Sequence, residues 1–207
     1  MLTLSVHKTI GFDFDQTLVD SSRGIIETII EVLSRFKVQC SDLQATQRLS
    51  LPLSEIFLPW SEHLNVTEAQ REYMKIYTDL CLQGAHLLPG ALETLDVLKQ
   101  MQIKSIIVSA KKKQSLEKML AHFELTDIPF IADVFLDTKA TALIKNQCSV
   151  YVGDHPNDVY AARIADCKSI VTMTGNSTEE DFRENQPDLF LKNLVQFAEK
   201  PIETLNI

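Results

Sequence analysis

Two short stretches of the chain concentrate side chains that can do chemistry. Asp13-Phe14-Asp15-Gln16-Thr17 sets two carboxylates two residues apart with a hydroxyl two further on, and Gly153-Asp154-His155-Pro156-Asn157-Asp158 adds two carboxylates four apart. Two like charges about 4 Å apart repel by roughly 4 kcal/mol at an effective dielectric near 20. Four of them gathered in one pocket must therefore hold protons or recruit a cation. The set is oxygen-rich and free of sulfur, which suits Mg²⁺ held by carboxylates, water and a substrate phosphate. His155 reads as a loop or capping residue rather than a ligand.

For the two stretches to meet, each must end a strand. Ile10, Phe12 and Phe14 alternate with Gly11, Asp13 and Asp15, the period of a strand that ends by presenting carboxylates. Further short apolar runs lie at 105–108, 130–136, 149–152, 169–172 and 189–191. Most are separated by helical patterns: Leu92, Leu95, Leu98 and Met101, then Leu116, Leu120 and Phe123, then 156–165 with Pro156 at its first position. Strands alternating with helices predict a doubly wound α/β fold around a parallel sheet. Ligands in such sheets bind beyond the carboxyl ends of the strands, which singles out Asp13, Asp15, Ser109 and Asp154. At the start of the following helix, Asp158 is favoured by the helix N-terminus, and Gly153 lets the backbone come close to a neighbour.

The stretch from about Val19 to Leu87 breaks the rhythm, with no convincing strand. Ser22 is placed to cap a helix with Ile25, Ile26, Ile29, Ile30, Leu33 and Phe36 on one face, and Thr67-Glu68-Ala69-Gln70 has capping-box spacing ahead of Tyr73, Ile76, Tyr77 and Leu80. Phe57 and Trp60 are expected in the core of this segment. The predicted division is a Rossmann-like core of residues 1–18 and 88–207 and a helical cap of 19–87, inserted directly after the first carboxylates as a lid would be.

Composition excludes several other roles. With 45% hydrophobic and 23% charged residues the chain is a globular protein, and a net charge of −8 works against nucleic acid or an anionic membrane surface as a partner. No run approaches the roughly 18 apolar residues of a membrane span. The four cysteines form no C-x-x-C pair, so reduced thiols in a cytoplasmic protein are expected, as monomer or homodimer.

The Asp13 to Ser21 segment Asp-Phe-Asp-Gln-Thr-Leu-Val-Asp-Ser, with Ser109, Lys139 and the Gly153 to Asp158 motif, resembles the haloacid dehalogenase superfamily. The chain is most similar to its phosphoglycolate phosphatase-like branch, which carries a helical cap after the first strand. Arg48-Leu49-Ser50-Leu51-Pro52-Leu53, the Leu88-Pro89-Gly90 return and Gln186-Pro187-Asp188 before the last strand fit as well. The resemblance implies a Mg²⁺-dependent phosphatase acting on a small phosphorylated metabolite through an aspartyl-phosphate. A phosphomutase and a catalytically weak binding relative are the alternatives. Asp13 would be the nucleophile and Asp15 the general acid and base. Asp13, the backbone carbonyl of Asp15, and Asp154 would hold the metal with Asp158 in support, while Thr17, Ser109 and Lys139 would bind the phosphoryl group.

The chain departs from the family pattern at three points. Gln16 and Ser50 stand where Gly is usual, and Lys139 lies only fifteen residues before Asp154 without the usual following Pro, so Lys145 competes for its place. Four carboxylates, Mg²⁺ and Lys139 leave a formal charge of −1, so a phosphate dianion also needs backbone N–H groups or Lys111. Otherwise Lys111-Lys112-Lys113 reads as a solvated helix face and Ser109 as an ordinary helix cap. Arg23 and Arg48 are candidates to meet a second anionic group on the substrate.

Overall fold

Ile10, Phe12, Ile107, Val108, Val150, Val152, Ile170 and Val171 are almost wholly removed from solvent, as strands covered on both faces require. The computed structural model describes residues 9–49, 51 and 53–206. The elements run in the order β1 (Thr9–Phe12), β2 (Val19–Asp20), α1 (Ser22–Arg35), α2 (Asp42–Thr46), α3 (Leu53–Ile56), α4 (Val66–Gly84), β3 (His86–Leu87), α5 (Ala91–Gln100) and β4 (Lys104–Val108). There follow α6 (Lys113–His122), β5 (Phe130–Ile131), α7 (Asp137–Lys145), β6 (Cys148–Gly153), α8 (Pro156–Ile164), β7 (Lys168–Thr172), β8 (Leu189–Leu191), α9 (Leu194–Glu199) and α10 (Pro201–Leu205). Ser50, the cap-loop departure noted above, and Pro52 beside it lie outside the described residues.

Six strands form one parallel sheet in the order β5-β4-β1-β6-β7-β8. The strand that leads into Asp13 is therefore central, with β4 on one side and β6 on the other. Phe12 pairs with Ile107 and with Val152, so the carboxyl ends of β4, β1 and β6 stop at one level. Helices cover the sheet. Leu143 of α7 and Ala161 and Ala162 of α8 pack with Val108 and Tyr151 in one cluster. Elsewhere the rings of Phe12 and Phe197 lie 6.4 Å apart.

The described chain divides into two compact units: residues up to Val19 with those from Leu87 on, and Asp20–His86. The second is helical. Its main packing is α1 against α4, and Ile29, Val32, Leu33, Phe57, Trp60, Tyr73, Tyr77 and Cys81 are buried in it. Tyr73 stacks on Tyr77 at 4.9 Å between centroids and meets Phe57 edge-on at 6.0 Å. No helix among the described residues is long and apolar enough to cross a membrane.

Three local expectations need correcting. The run 130–136 is a strand only at Phe130–Ile131, because Asp133 and Leu136 adopt positive φ (59° and 46°) and the chain is tied instead to the loop after β4, by Asp133 N–H to Lys111 O and Val134 N–H to Ser109 O. Ser22 is the first residue of α1 rather than its cap. The Asp20 carboxylate accepts both its N–H (2.9 Å) and its hydroxyl (2.5 Å). Thr67 does not open α4 either: Asn65 caps it, its side-chain oxygen accepting the Glu68 N–H at 3.1 Å, and Thr67 lies already inside the first turn.

The last correction is measurable. Asn65→Ala should lower stability by about 1 kcal/mol through loss of the cap, whereas Thr67→Ala should stay within about 0.5 kcal/mol of the parent protein. Denaturant titration followed by far-ultraviolet circular dichroism distinguishes the two.

Candidate active site

The aligned strand ends deliver the first residues of the site. Asp13 follows β1 directly and is anchored by its N–H to the Val152 carbonyl of β6 at 2.8 Å. Ser109 follows β4, Asp154 follows β6, and Asp158 sits in the first turn of α8. Asp158 closes that turn from below: its Oδ2 accepts the N–H groups of Asp154 and His155, both at 3.2 Å. His155 caps the same helix, Nδ1 accepting from the Asn157 N–H at 3.1 Å. A Cβ at residue 153 would stand 2.4 Å from Asp158 Oδ2, so the approach of this carboxylate to the strand end needs the glycine there.

Carboxylate oxygens of Asp13, Asp154 and Asp158 all lie within 4.8 Å of one another, and all three residues are buried. Between two of them stands Lys139, from the first turn of α7. Its Nζ donates to Asp13 Oδ1 at 3.1 Å and to Asp158 Oδ1 at 2.7 Å. Burial, reinforced by Asp158 and Asp15 and opposed by Lys139, pushes Asp13 up to about 7. Burial also holds Asp154 well above the ordinary carboxylate range, with Asp158 and Asp13 adding to the shift. For Lys139 burial works toward discharge, but Asp13 and Asp158 outweigh it and keep its pKa well above the usual lysine value. The local charge is thus short of cations. Three converging carboxylates with one lysine and no sulfur are a fitting donor set for a hard divalent ion.

Asp15 belongs to a second ion pair. Its Oδ1 lies 2.8 Å from Nζ of Lys111, whose side chain is only 1% exposed. Lys111 therefore does not share the solvated face of Lys112 and Lys113, which are exposed as expected. The reason is the loop: α6 starts only at Lys113, and Lys111 precedes it in a turn where its N–H bonds Ser109 Oγ at 3.2 Å. For the same reason Ser109 is not a helix cap. Its side chain is buried beside the strand end, and its N–H bonds the Ile131 carbonyl at 2.9 Å.

Gln16 takes φ 60°, the left-handed conformation that glycine adopts without cost and that costs another residue roughly 1–2 kcal/mol. Two bonds hold it there. Its N–H donates to the Val19 carbonyl at 2.7 Å, and its carbonyl accepts the Thr174 hydroxyl at 2.5 Å. The turn after Asp15 is thus the one a glycine would make. Thr17, next in line, is fully buried, and its hydroxyl has no hydrogen-bond partner among the described residues. Such an orphaned group is expensive unless a ligand completes it.

The fold thus groups Asp13, Asp154, Asp158 and Lys139, and pairs Asp15 with Lys111. Lys145, the competitor of Lys139, is exposed at the far end of α7. Arg23 is exposed and paired with Glu27 in its own helix. Sequence reasoning missed Thr174 altogether, and nothing in its local pattern marks it, because its partner is 158 residues away.

The haloacid dehalogenase-like hydrolase family matches residues 10–172 of the chain. A protein of Caldanaerobacter subterraneus subsp. tengcongensis, provisionally named a pyrophosphatase, is 23% identical over 89% of this chain and 90% of its own. A phosphoglycolate phosphatase of Aliivibrio fischeri is 25% identical, with 88% of this chain and 91% of the relative covered. Among solved structures, a haloacid dehalogenase-like family hydrolase of Streptococcus pneumoniae superposes with a TM-score of 0.80 at 23% identity, covering 93% of this chain and 97% of that one. This last likeness is one of fold.

The raised carboxylates have a consequence for stability. Between the unfolded value near 4 and about 7, folded Asp13 holds a proton that the unfolded chain has released, so stability falls as pH rises through that window. Asp154 acts in the same direction, while His155, whose pKa burial lowers, acts in the opposite one. Metal-free protein should therefore melt at lower temperature at pH 8 than at pH 5, with a shallower fall in Asp13→Asn. The difference between the two proteins cancels the His155 contribution. Millimolar Mg²⁺ should raise the melting temperature more at pH 8 than at pH 5.

Proposed function

The chain belongs to the haloacid dehalogenase-like hydrolases, and from that premise we propose that it is a Mg²⁺-dependent phosphatase that hydrolyses a small phosphomonoester through an aspartyl-phosphate. The observation that carries this reading is the buried group of Asp13, Asp154 and Asp158 around the Lys139 ammonium, at the end of the central strand. Asp13 and Asp154 would hold the ion through their side chains and Asp15 through its backbone carbonyl, with Asp158 steadying the group. When bound, Mg²⁺ offsets the carboxylate charge and that of the phosphoryl oxygens.

Asp13 attacks phosphorus in line with the leaving oxygen. As the P–O bond to that oxygen breaks, Asp15 gives it a proton, so the alcohol leaves neutral. Asp15, now ionised, takes a proton from water, whose oxygen attacks the aspartyl-phosphate, releasing phosphate and restoring Asp13. Lys139, the Ser109 side chain and the unpartnered Thr17 hydroxyl bind the phosphoryl oxygens as charge shifts onto them. Lys111, at 2.8 Å, keeps the Asp15 carboxylate in place for its proton transfers. With this second lysine the formal charge of four carboxylates, one Mg²⁺ and two lysines is zero, and +1 with Asp15 protonated to act as acid, so a phosphate dianion enters without net repulsion.

The acid at Asp15 serves an alkoxide leaving group and has no use in dehalogenation. Phosphoglycolate and pyrophosphate, named in the relatives, are the first substrates to test. Cys81, Cys148 and Cys167 are buried free thiols, which supports a reducing, cytoplasmic setting.

Purified protein should hydrolyse p-nitrophenyl phosphate with Mg²⁺ and lose the activity on chelation. Asp13→Asn should lower kcat by about 10³-fold or more. Asp15→Asn should affect alkyl phosphates more than p-nitrophenyl phosphate, whose leaving group needs no proton. Retention of labelled phosphate on a hexose bisphosphate would instead indicate a mutase, and a wild type inactive across a broad phosphate panel would indicate a binding protein.

A further inference from the structure

Tyr151 has no task in the chemistry above, yet it is one of the largest fully buried side chains. It lies in β6, where the register sets it beside Gly11 of the central strand. A Cβ on Gly11 would stand 2.8 Å from Cδ2 of the tyrosine ring and 3.0 Å from Cδ2 of Leu143, so the ring takes much of the space that a side chain at residue 11 would fill. Its hydroxyl reaches across β1 to the strand on the other side and donates to the Val108 carbonyl of β4 at 2.7 Å. Val108 is the residue before Ser109. The Nζ of Lys139 lies 5.4 Å from the centroid of the same ring, close enough for the cation to be attracted to its face.

One side chain thus connects three parts of the site. It belongs to the strand that ends at Asp154, it is bonded to the strand that ends at Ser109, and it flanks the ammonium that bonds Asp13 and Asp158. Glycine within a strand weakens it, and here the space at residue 11 is given over in large part to the tyrosine ring. Lys139 itself spends two hydrogen bonds on carboxylates, and a flexible four-carbon side chain needs a wall to keep it there.

We propose that Tyr151 is a positioning residue, a strut across the central strand that holds the Lys139 ammonium and the start of the Ser109 loop where they receive the transferring phosphoryl group. The proposal rests on the phosphatase reading. It assigns to Tyr151 an effect on phosphate binding that passes in part through Lys139, which a residue that only fills the core would not have.

The test compares Tyr151→Phe and Tyr151→Leu, each in the parent and in Lys139→Met, by calorimetric binding of inorganic phosphate with Mg²⁺, by KM and kcat for p-nitrophenyl phosphate, and by melting temperature. Tyr151→Phe keeps the ring beside Lys139 and loses the tie to Val108, so it should weaken phosphate binding about threefold and raise KM more than it lowers kcat. Tyr151→Leu should weaken binding about tenfold or more. In Lys139→Met, Tyr151→Leu should weaken phosphate binding by no more than the roughly threefold that Tyr151→Phe costs the parent, because only the tie to Val108 is left to lose. A folded Tyr151→Leu that binds phosphate within about twofold of the parent overturns the strut, as does an equal loss with and without Lys139. If Tyr151→Leu does not fold, Tyr151→Phe decides alone, and unchanged phosphate affinity there overturns the proposal. A parent protein that binds no phosphate and hydrolyses nothing overturns the phosphatase reading and the strut with it. A parent that does both while the variants match it overturns the strut alone.

Discussion

A buried ammonium bonded to two buried carboxylates organises this molecule. Lys139 lies between Asp13 and Asp158 at hydrogen-bond distance, with Asp154 close by. Burying any one of these groups alone would be costly, and breaking such an arrangement by removing one partner leaves a charge stranded in low dielectric. The group therefore holds together only if three separate elements arrive in register: the end of β1, the first turn of α7 and the β6–α8 connection. The parallel sheet meets that demand by stopping β4, β1 and β6 at one level.

The same constraint explains the local irregularities nearby. Gln16 is held in a left-handed conformation by bonds to Val19 and Thr174, which turns the chain sharply between Asp15 and Thr17. The loop after β5 gives up strand geometry to bond the loop after β4. That bonding fixes the turn in which Ser109 and Lys111 sit. Two lysines thereby serve two separate carboxylate groups, Lys139 the cluster of Asp13, Asp154 and Asp158, and Lys111 the carboxylate of Asp15. Even so burial, with one lysine among three converging carboxylates, leaves Asp13 raised to about 7, and the group has electrostatic room for a divalent cation.

How much of this was legible in advance depends on the range of the interaction. The strand character of the first segment, the runs ending at Val108, Val152 and Leu191, and the helices after Gly90 and Pro156 all follow from period-two or period-3.6 patterns within ten residues or so. The caps of α1 and α4 fall one and two residues before Ser22 and Thr67, because several neighbouring polar side chains can serve and packing chooses among them. Composition alone groups Lys111 with Lys112 and Lys113, whereas its burial comes from a turn that composition does not display.

By itself the sequence determined the α/β alternation, the helical segment between the first strand and the rest, and the chemical types available at the strand ends, because these depend on local periodicity and on residue identity. The choice of Lys139 over Lys145, the burial of Lys111 against Asp15 and the reach of Tyr151 over Gly11 to Val108 were decided only by the tertiary structure. Each is a contact between residues that no local pattern relates: Lys139 and Asp13 are 126 positions apart, and Tyr151 and Val108 are 43 apart. What selects them is the cost of an unpaired charge or hydroxyl once the chain has closed around it, and that cost exists only in the folded interior.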